Sequence, residues 1–191
     1  MNIWRYYQTS MKRRPLATNM CTAFGVMLVG DVTAQKWKGD RSNLDKVRLI
    51  TMLSWNSLCF TPFFFFFFRT ADRIFPGRAL RNVLSKVIVT QALVTIPINV
   101  AAISFKTATE LSLNSFFEKT IEPLKAETIL SEIKERIDVD LATLFVSSAC
   151  FWSPVNFVNF RYFPTKYRVI PTIFGGILWN TYMSFTIHEE L

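Results

Sequence analysis

Five apolar blocks, each close to the length of a bilayer-spanning helix, divide this chain: residues 16–35, 49–68, 83–105, 141–160 and 169–187. A helix rises 1.5 Å per residue, so a hydrocarbon layer about 30 Å thick takes about 20 residues. Soluble domains rarely hold so much apolar residue in uninterrupted runs. The pattern predicts an all-α, polytopic membrane helix bundle of four to five transmembrane helices, built as one domain over residues 1–191. None of the blocks is purely aliphatic. All contain Thr, Ser, Asn, Gln or Pro, whose polar groups must be satisfied inside the bundle because lipid offers no partner.

The charge pattern says how such a bundle sits. The net charge is +8, yet the basic residues form no continuous stripe of the kind nucleic acid selects. They fall in clusters between the blocks: Lys12, Arg13 and Arg14; Arg69, Arg73, Arg78 and Arg81; Arg161, Lys166 and Arg168. In a five-span chain, the N-terminus, residues 69–86 and residues 161–168 share one side. They hold twelve basic residues against Asp72 alone, whereas the other side is close to neutral. That asymmetry places the N-terminus on the basic side. Asp72 then stands among Arg69, Arg73 and, farther along the chain, Arg168 as a boundary ion-pair group that fixes a helix end. Before Asp31 there is no acidic residue, an imbalance shared by mitochondrial targeting segments and by basic helices lying on a membrane surface.

Two stretches break the alternation of blocks and loops. Residues 106–140 carry thirteen charges and are not expected to span. Ile129, Ile133 and Ile137 recur every four positions, Glu132 and Arg136 can pair across one turn, and Pro123 divides the stretch; two short amphipathic helices are expected. Phe63 to Phe68 is an unbroken run of six Phe, which surrounds a helix on every side and so puts some rings toward lipid. Enzymatic chemistry has little to stand on. His188 is the single histidine, and Cys21, Cys59 and Cys150 lie in separate apolar blocks, so no catalytic triad, metal site or cofactor is expected.

The polar residues inside the blocks are the candidate functional groups: Asp31 and Gln35 in the first, Gln91 and Asn99 in the third, Asn156 and Asn159 in the fourth, and Asn180 in the fifth. Trp152, Asn156, Asn159 and Phe163 follow steps of four, three and four, so they share one helix face. Amides turned toward hydrocarbon would each cost several kcal/mol, so this face is expected to meet protein or water. The sequence leaves two readings open: polar glue between helices, or the lining of a small hydrophilic path. Asp31 divides in the same way between structural pairing and a role toward a solute or proton.

The last third also carries a motif set. It reads Trp152-Ser153-Pro154-Val155-Asn156-Phe157-Val158-Asn159-Phe160, then Phe163-Pro164-Thr165-Lys166-Tyr167-Arg168, then Trp179-Asn180-Thr181-Tyr182-Met183-Ser184. This closely resembles the signature of the twenty-two-kilodalton peroxisomal membrane protein family, which also contains mitochondrial inner-membrane proteins of the Mpv-seventeen and Sym-one types. Weaker matches continue the resemblance along nearly the whole chain: Trp4-Arg5 and Tyr7, Gly30-Asp31, Pro62, Asp72-Arg73, Pro76-Gly77, Lys86 and Gln91. The chain departs from the pattern at Thr61, Thr90, Ser148 and Ser153. The resemblance implies a multi-pass protein of the mitochondrial inner membrane, alternatively of the peroxisomal membrane. It implies a channel-like role in passing small solutes or metabolites. The alternative is an accessory subunit of a larger inner-membrane complex. The implied partners are the lipid bilayer and, in addition, other complex subunits or further copies of the chain.

Overall fold

A computed structural model describes residues 2–37, 44–117 and 126–186, and the described residues are helical throughout apart from short turns. Helix α1 (Ile3–Arg13) begins at Asn2, whose side chain accepts the Trp4 N–H. Pro15 then disfavours helical backbone at Arg14 and opens α2 (Pro15–Trp37) at the one position where its missing N–H costs nothing. Asp45 caps α3 (Lys46–Ile74) by accepting the Arg48 N–H at 2.9 Å. Pro76 and Gly77, the latter at φ +80, turn the chain into α4 (Leu80–Phe117). Helix α5 (Ala126–Tyr162) continues through Pro154, and a single 3-10 turn, Thr165–Tyr167, leads to α6 (Val169–Thr186).

Among the described residues, three helical stretches are apolar and long enough to cross a membrane: Pro15–Lys36, Lys46–Ile74 and Leu80–Phe117. The fourth apolar block lies within α5, and the fifth, as far as Thr186, forms α6. The charged stretch 106–140 is organised differently from the sequence expectation. Lys106 lies inside α4, and α5 runs unbroken from Ala126 into the fourth block, so the charged residues of the stretch that are described extend long helices. Pro123 and the side chains of Arg136 and Ile137 lie outside the described residues, as does the side chain of Asn180.

The core is built where the helices meet. Ala23 and Met27 of α2, Trp55, Phe60, Phe64, Phe65 and Phe68 of α3, Val83, Val87 and Val94 of α4, Phe160 of α5 and Val169 and Ile173 of α6 form one buried cluster. The Phe run divides as a helix requires: Phe64, Phe65 and Phe68 are buried, whereas Phe63 and Phe66 are exposed to the surroundings. Glycine permits two close approaches. A Cβ at Gly30 would stand 3.1 Å from Ile177, and one at Gly175 would stand 3.1 Å from Trp152. These positions draw α6 against α2 and α5.

Both long middle helices contain a π-turn. In α3 it spans Trp55–Phe60, and the Thr61 N–H reaches back five residues to the Asn56 carbonyl; in α4 it spans Thr90–Val94, and the Thr95 N–H reaches the Thr90 carbonyl. Such turns insert an extra residue into the helix and occur often at functional sites.

Candidate functional site: a cavity between two π-turns

The two π-turns border the same space. Trp55, Asn56 and Phe60 from the first, and Thr90 and Val94 from the second, line a cavity completed by Thr95, Asn99 and Lys106 of α4, Ser148, Trp152 and Asn156 of α5, and Gly176 and Trp179 of α6. The room it offers to water-sized molecules is about 70 Å³. The wall is aromatic, with three tryptophans, and set with neutral polar groups and one lysine. Gly176 lies close to Asn56: a Cβ there would stand 3.9 Å from Asn56 Oδ1, an ordinary contact distance. Thr90 and Ser148, two of the departures from the family pattern, both line the cavity.

Asn56 is buried and donates its amide to the Met52 carbonyl at 2.9 Å. Asn156 is buried too, and among the described residues its Oδ1 has no hydrogen-bond partner. Asn159, on the same face of α5 but outside the cavity lining, is fully buried and donates to the Arg168 carbonyl at 2.9 Å and to Thr172 Oγ1 at 3.0 Å. The shared face read from the sequence therefore splits. Asn159 ties α5 to the start of α6, Asn156 and Trp152 meet the cavity, and Phe163 lies beyond the helix end and is exposed. Gln91 accepts the Thr95 hydroxyl at 2.6 Å and is not part of the lining.

Below Thr90 lies an ionic clasp. The Thr90 hydroxyl donates to the Lys86 carbonyl at 2.7 Å. Lys86, whose side chain is fully buried, donates from Nζ to Asp72 Oδ1 at 2.6 Å and to the Gly77 carbonyl at 3.1 Å. The other Asp72 oxygen meets Arg168 Nη1 at 2.6 Å and accepts the Thr165 hydroxyl. Arg168 is also buried; its Nε donates to the Phe163 carbonyl at 3.1 Å and its guanidinium faces the Phe160 ring, 5.1 Å from the centroid. One carboxylate thus holds two buried cations from different elements, joining the end of α3, α4, the end of α5 and the entrance to α6. Arg168 stands in the boundary network expected from the sequence, but the neighbours Arg69 and Arg73 are not the partners of Asp72. Arg69 instead lies 3.8 Å from the centre of the Phe65 ring. Lys86, absent from the sequence-based set of site residues, supplies the second cation.

Asp31 and Gln35 sit apart from the cavity, at the far end of α2. Gln35 donates to Asp31 Oδ2 at 2.6 Å, and Arg48 Nε meets Asp31 Oδ1 at 3.1 Å. Gln35 Oε1 also accepts the Asp45 N–H at 2.7 Å, so the pair fastens the entrance of α3 to the end of α2. The cation comes from Arg48, at the start of the next helix. Arg168 is engaged by Asp72. Among the described residues, no three His, Cys, Asp or Glu side chains gather into a metal site.

Comparison with known proteins places these features in a family context. Residues 124–184, which include the cavity wall from Ser148 to Trp179, match the Mpv17 / PMP22 family. The chain is 25% identical to the mitochondrial inner membrane protein Mpv17 of Danio rerio, over 98% of this chain and 98% of that protein. It is 26% identical to the Mpv17 of Xenopus laevis with the same coverage of both chains. With the peroxisomal membrane protein PMP22 of Arabidopsis thaliana the identity is 24%, over 93% of this chain and 86% of that protein. No solved structure matches the chain.

Proposed function

We propose that this chain, a relative of the Mpv17 / PMP22 family, is a multi-pass protein of an organelle membrane that passes small polar solutes through the cavity between α3, α4, α5 and α6. The named relatives favour the mitochondrial inner membrane, with the peroxisomal membrane as the alternative. The observation that carries the reading is the position of the cavity along α4. Its lining runs from Thr90 to Lys106. At 1.5 Å per residue those sixteen steps cover about 24 Å, most of a hydrocarbon layer about 30 Å thick. Seven of the sixteen lining residues carry polar side chains, and the buried Asn156 Oδ1, without a hydrogen-bond partner among the described residues, is costly in a dry bundle and gains a partner where water or a polar solute passes. The clasp of Asp72, Lys86 and Arg168 lies one helical turn beyond Thr90 and closes that end.

Reconstitution of the full chain in liposomes tests the reading. Erythritol, small and uncharged, enters protein-bearing vesicles faster than empty ones, and Ser148→Leu together with Asn156→Leu slows it toward the empty-vesicle rate. Equal entry into both kinds of vesicle would exclude passage.

A second reading, that of an accessory subunit, draws on the lengths of α4 and α5. Their 38 and 37 residues exceed a single crossing. The ends carrying the charged stretch 106–140 would project from the layer as a surface on which another membrane-complex subunit could dock. Migration of the protein from native membranes in a large assembly, against migration as a small particle, separates the two.

A further inference from the structure

The turn after α3 and the end of α5 gather positive charge that the fold does not use. Arg161, in the last turn of α5, donates from Nη1 to the Arg78 carbonyl, so the two segments touch. Lys86 of α4 stands 5.7 Å from the centre of the Phe160 ring, which seats the start of α4 against the end of α5. The side chains of Arg78 and Arg81 are exposed and make no hydrogen bond or ion pair among the described residues, and the Arg161 side chain, also exposed, meets only the carbonyl. Asp72 is the single acidic residue of segments 69–86 and 161–168, and Lys86, Arg168 and Thr165 occupy both its oxygens. Arg78, Arg81 and Arg161 therefore form a rim without an acidic partner.

Apolar side chains lead away from this rim. Leu84 and Ile88 follow Arg81 by steps of three and four and share its helix face, and Val158 lies one turn before Arg161 on α5. All three are exposed, and Ile88 lies about 10 Å along the helix from Arg81. Because α4 is apolar and long enough to cross a membrane, these side chains meet acyl chains. We propose that the seam between the start of α4 and the end of α5 binds an anionic phospholipid, with its phosphate among Arg78, Arg81 and Arg161 and its acyl chains along Leu84, Ile88 and Val158. Basic pockets between membrane helices suit such headgroups, and guanidinium groups pair with phosphate oxygens through two parallel hydrogen bonds. A free phosphate would gain the charge pairing alone. The inference needs the membrane placement of α4 and not the passage of solutes.

The full chain in dodecyl maltoside micelles, given dioleoyl phosphatidylglycerol or dioleoyl phosphatidylcholine and read by native mass spectrometry, tests this. Phosphatidylglycerol should be retained, and phosphatidylcholine, with the same chains and no net charge, lost. Arg81→Gln should weaken retention about fivefold and Arg78→Gln/Arg81→Gln by a further factor of about five, the worth of each basic residue at an anionic surface. Neither side chain bonds to another residue, so both variants should unfold at the parent temperature when lipid is absent. Lys12→Gln/Arg13→Gln removes the same charge from α1 and should leave retention as it is. Equal retention of the two lipids, or an equal loss in the α1 variant, overturns the site. So does displacement of the lipid by inorganic phosphate at the same concentration, which would mean that the acyl chains add nothing. Erythritol entry is measured separately, so failure here leaves the passage reading standing.

Discussion

Asp72 and Lys86 meet at 2.6 Å across the turn between α3 and α4, with the lysine side chain fully buried and the carboxylate partly so. Because Arg168 shares the same carboxylate, the single acidic group compensates two cations that burial would otherwise penalise severely. Removing one partner of a buried pair costs about 3–5 kcal/mol, because the charge left behind is uncompensated. Asp72→Leu should therefore lower stability by about that amount, measured as thermal unfolding in detergent. Replacing the lysine as well, in Asp72→Leu/Lys86→Met, should recover part of the loss, since the double variant strands one fewer cation. A double variant less stable than the single one would mean that the clasp is not organised around this pair.

The same clasp gives a kinetic prediction. Thr165 donates its hydroxyl to Asp72 from the loop that precedes α6. Loss of that bond in Thr165→Val leaves both ion pairs in place but frees the loop, so the end of the cavity below Thr90 should open more often. Erythritol entry into liposomes should rise, with unfolding temperature little changed. An unchanged rate would separate the clasp from any control of passage and leave it a purely structural tie.

At the opposite end of α3, Asp31 holds Arg48 and Gln35. Asp31 is buried enough that its side chain keeps only 9% of its exposure. Asp31→Asn retains a hydrogen-bond acceptor for Arg48 and should be mild, whereas Asp31→Leu leaves the guanidinium without its carboxylate. A loss of about 1–3 kcal/mol is expected for the leucine variant, from the cost of hydrogen bonds made to charged groups. Equal unfolding temperatures for the two variants would remove the ion pair from the stability argument.

The sequence made some of this legible and hid the rest for physical reasons. The apolar blocks and the charge clusters follow from the bilayer's own length and dielectric, so the helices of the first three blocks appear where hydropathy puts them. Partner choice is another matter. Sequence proximity points Asp72 toward Arg69 and Arg73, but α3 places Arg69 over the Phe65 ring, and the helices packed alongside bring Lys86 and Arg168 to the carboxylate instead. For Asp31, the next helix in the chain supplies the partner because α2 and α3 run antiparallel and bring Arg48 back to it. The two π-turns carry no residue signature, since Trp55–Phe60 and Thr90–Val94 share no pattern beyond a polar residue near the start. They became recognisable only through the i to i−5 hydrogen bonds, and with them the cavity that unites Asn56, Thr90 and Asn156. The amides of Asn156 and Asn159 could be placed on one face from spacing alone, but which of them meets a cavity and which ties α5 to α6 depends on the position of Thr172 and Arg168 in space.

Close helix contact at Gly175 supplies a test of the cavity's wall. A Cβ there would stand 3.1 Å from the Trp152 ring, nearer than most real contacts, and Trp152 lines the cavity. Gly175→Ala forces the indole to move by a few tenths of an ångström, and Gly175→Leu forces α6 away from α5. Overpacking of this kind costs about 1–3 kcal/mol. The leucine variant should unfold at lower temperature and, because Trp152 and Trp179 both border the cavity, its tryptophan fluorescence should shift relative to the parent protein. The alanine variant should show the spectral shift with a smaller loss of stability. A leucine variant as stable as the parent, with unchanged fluorescence, would mean that α5 and α6 are not in contact at this glycine.

The arrangement of the ends predicts topology. Arg161 donates to the Arg78 carbonyl, and Thr165 to Asp72, so the turn after α3 and the turn after α5 lie together. The pair of Asp31 and Arg48 lies at the other end of α3: the twenty-four residues from Arg48 to Asp72 cover about 36 Å of helix, a little more than a hydrocarbon layer of about 30 Å. The two ionic clusters are therefore expected at opposite membrane surfaces, and the basic segments 12–14, 73–81 and 161–168 at one. With Cys21, Cys59 and Cys150 replaced by serine, single cysteines at Arg14, Arg78 and Lys166 should react with a membrane-impermeant thiol reagent from the same side, and a cysteine at Lys46 from the other. The N-terminal position is the discriminating one, because α2 alone connects it to the Asp31 cluster. Labelling of Arg14→Cys and Arg78→Cys from opposite sides would mean that α2 and α3 do not both cross the layer, and the cavity would then lie outside the membrane interior.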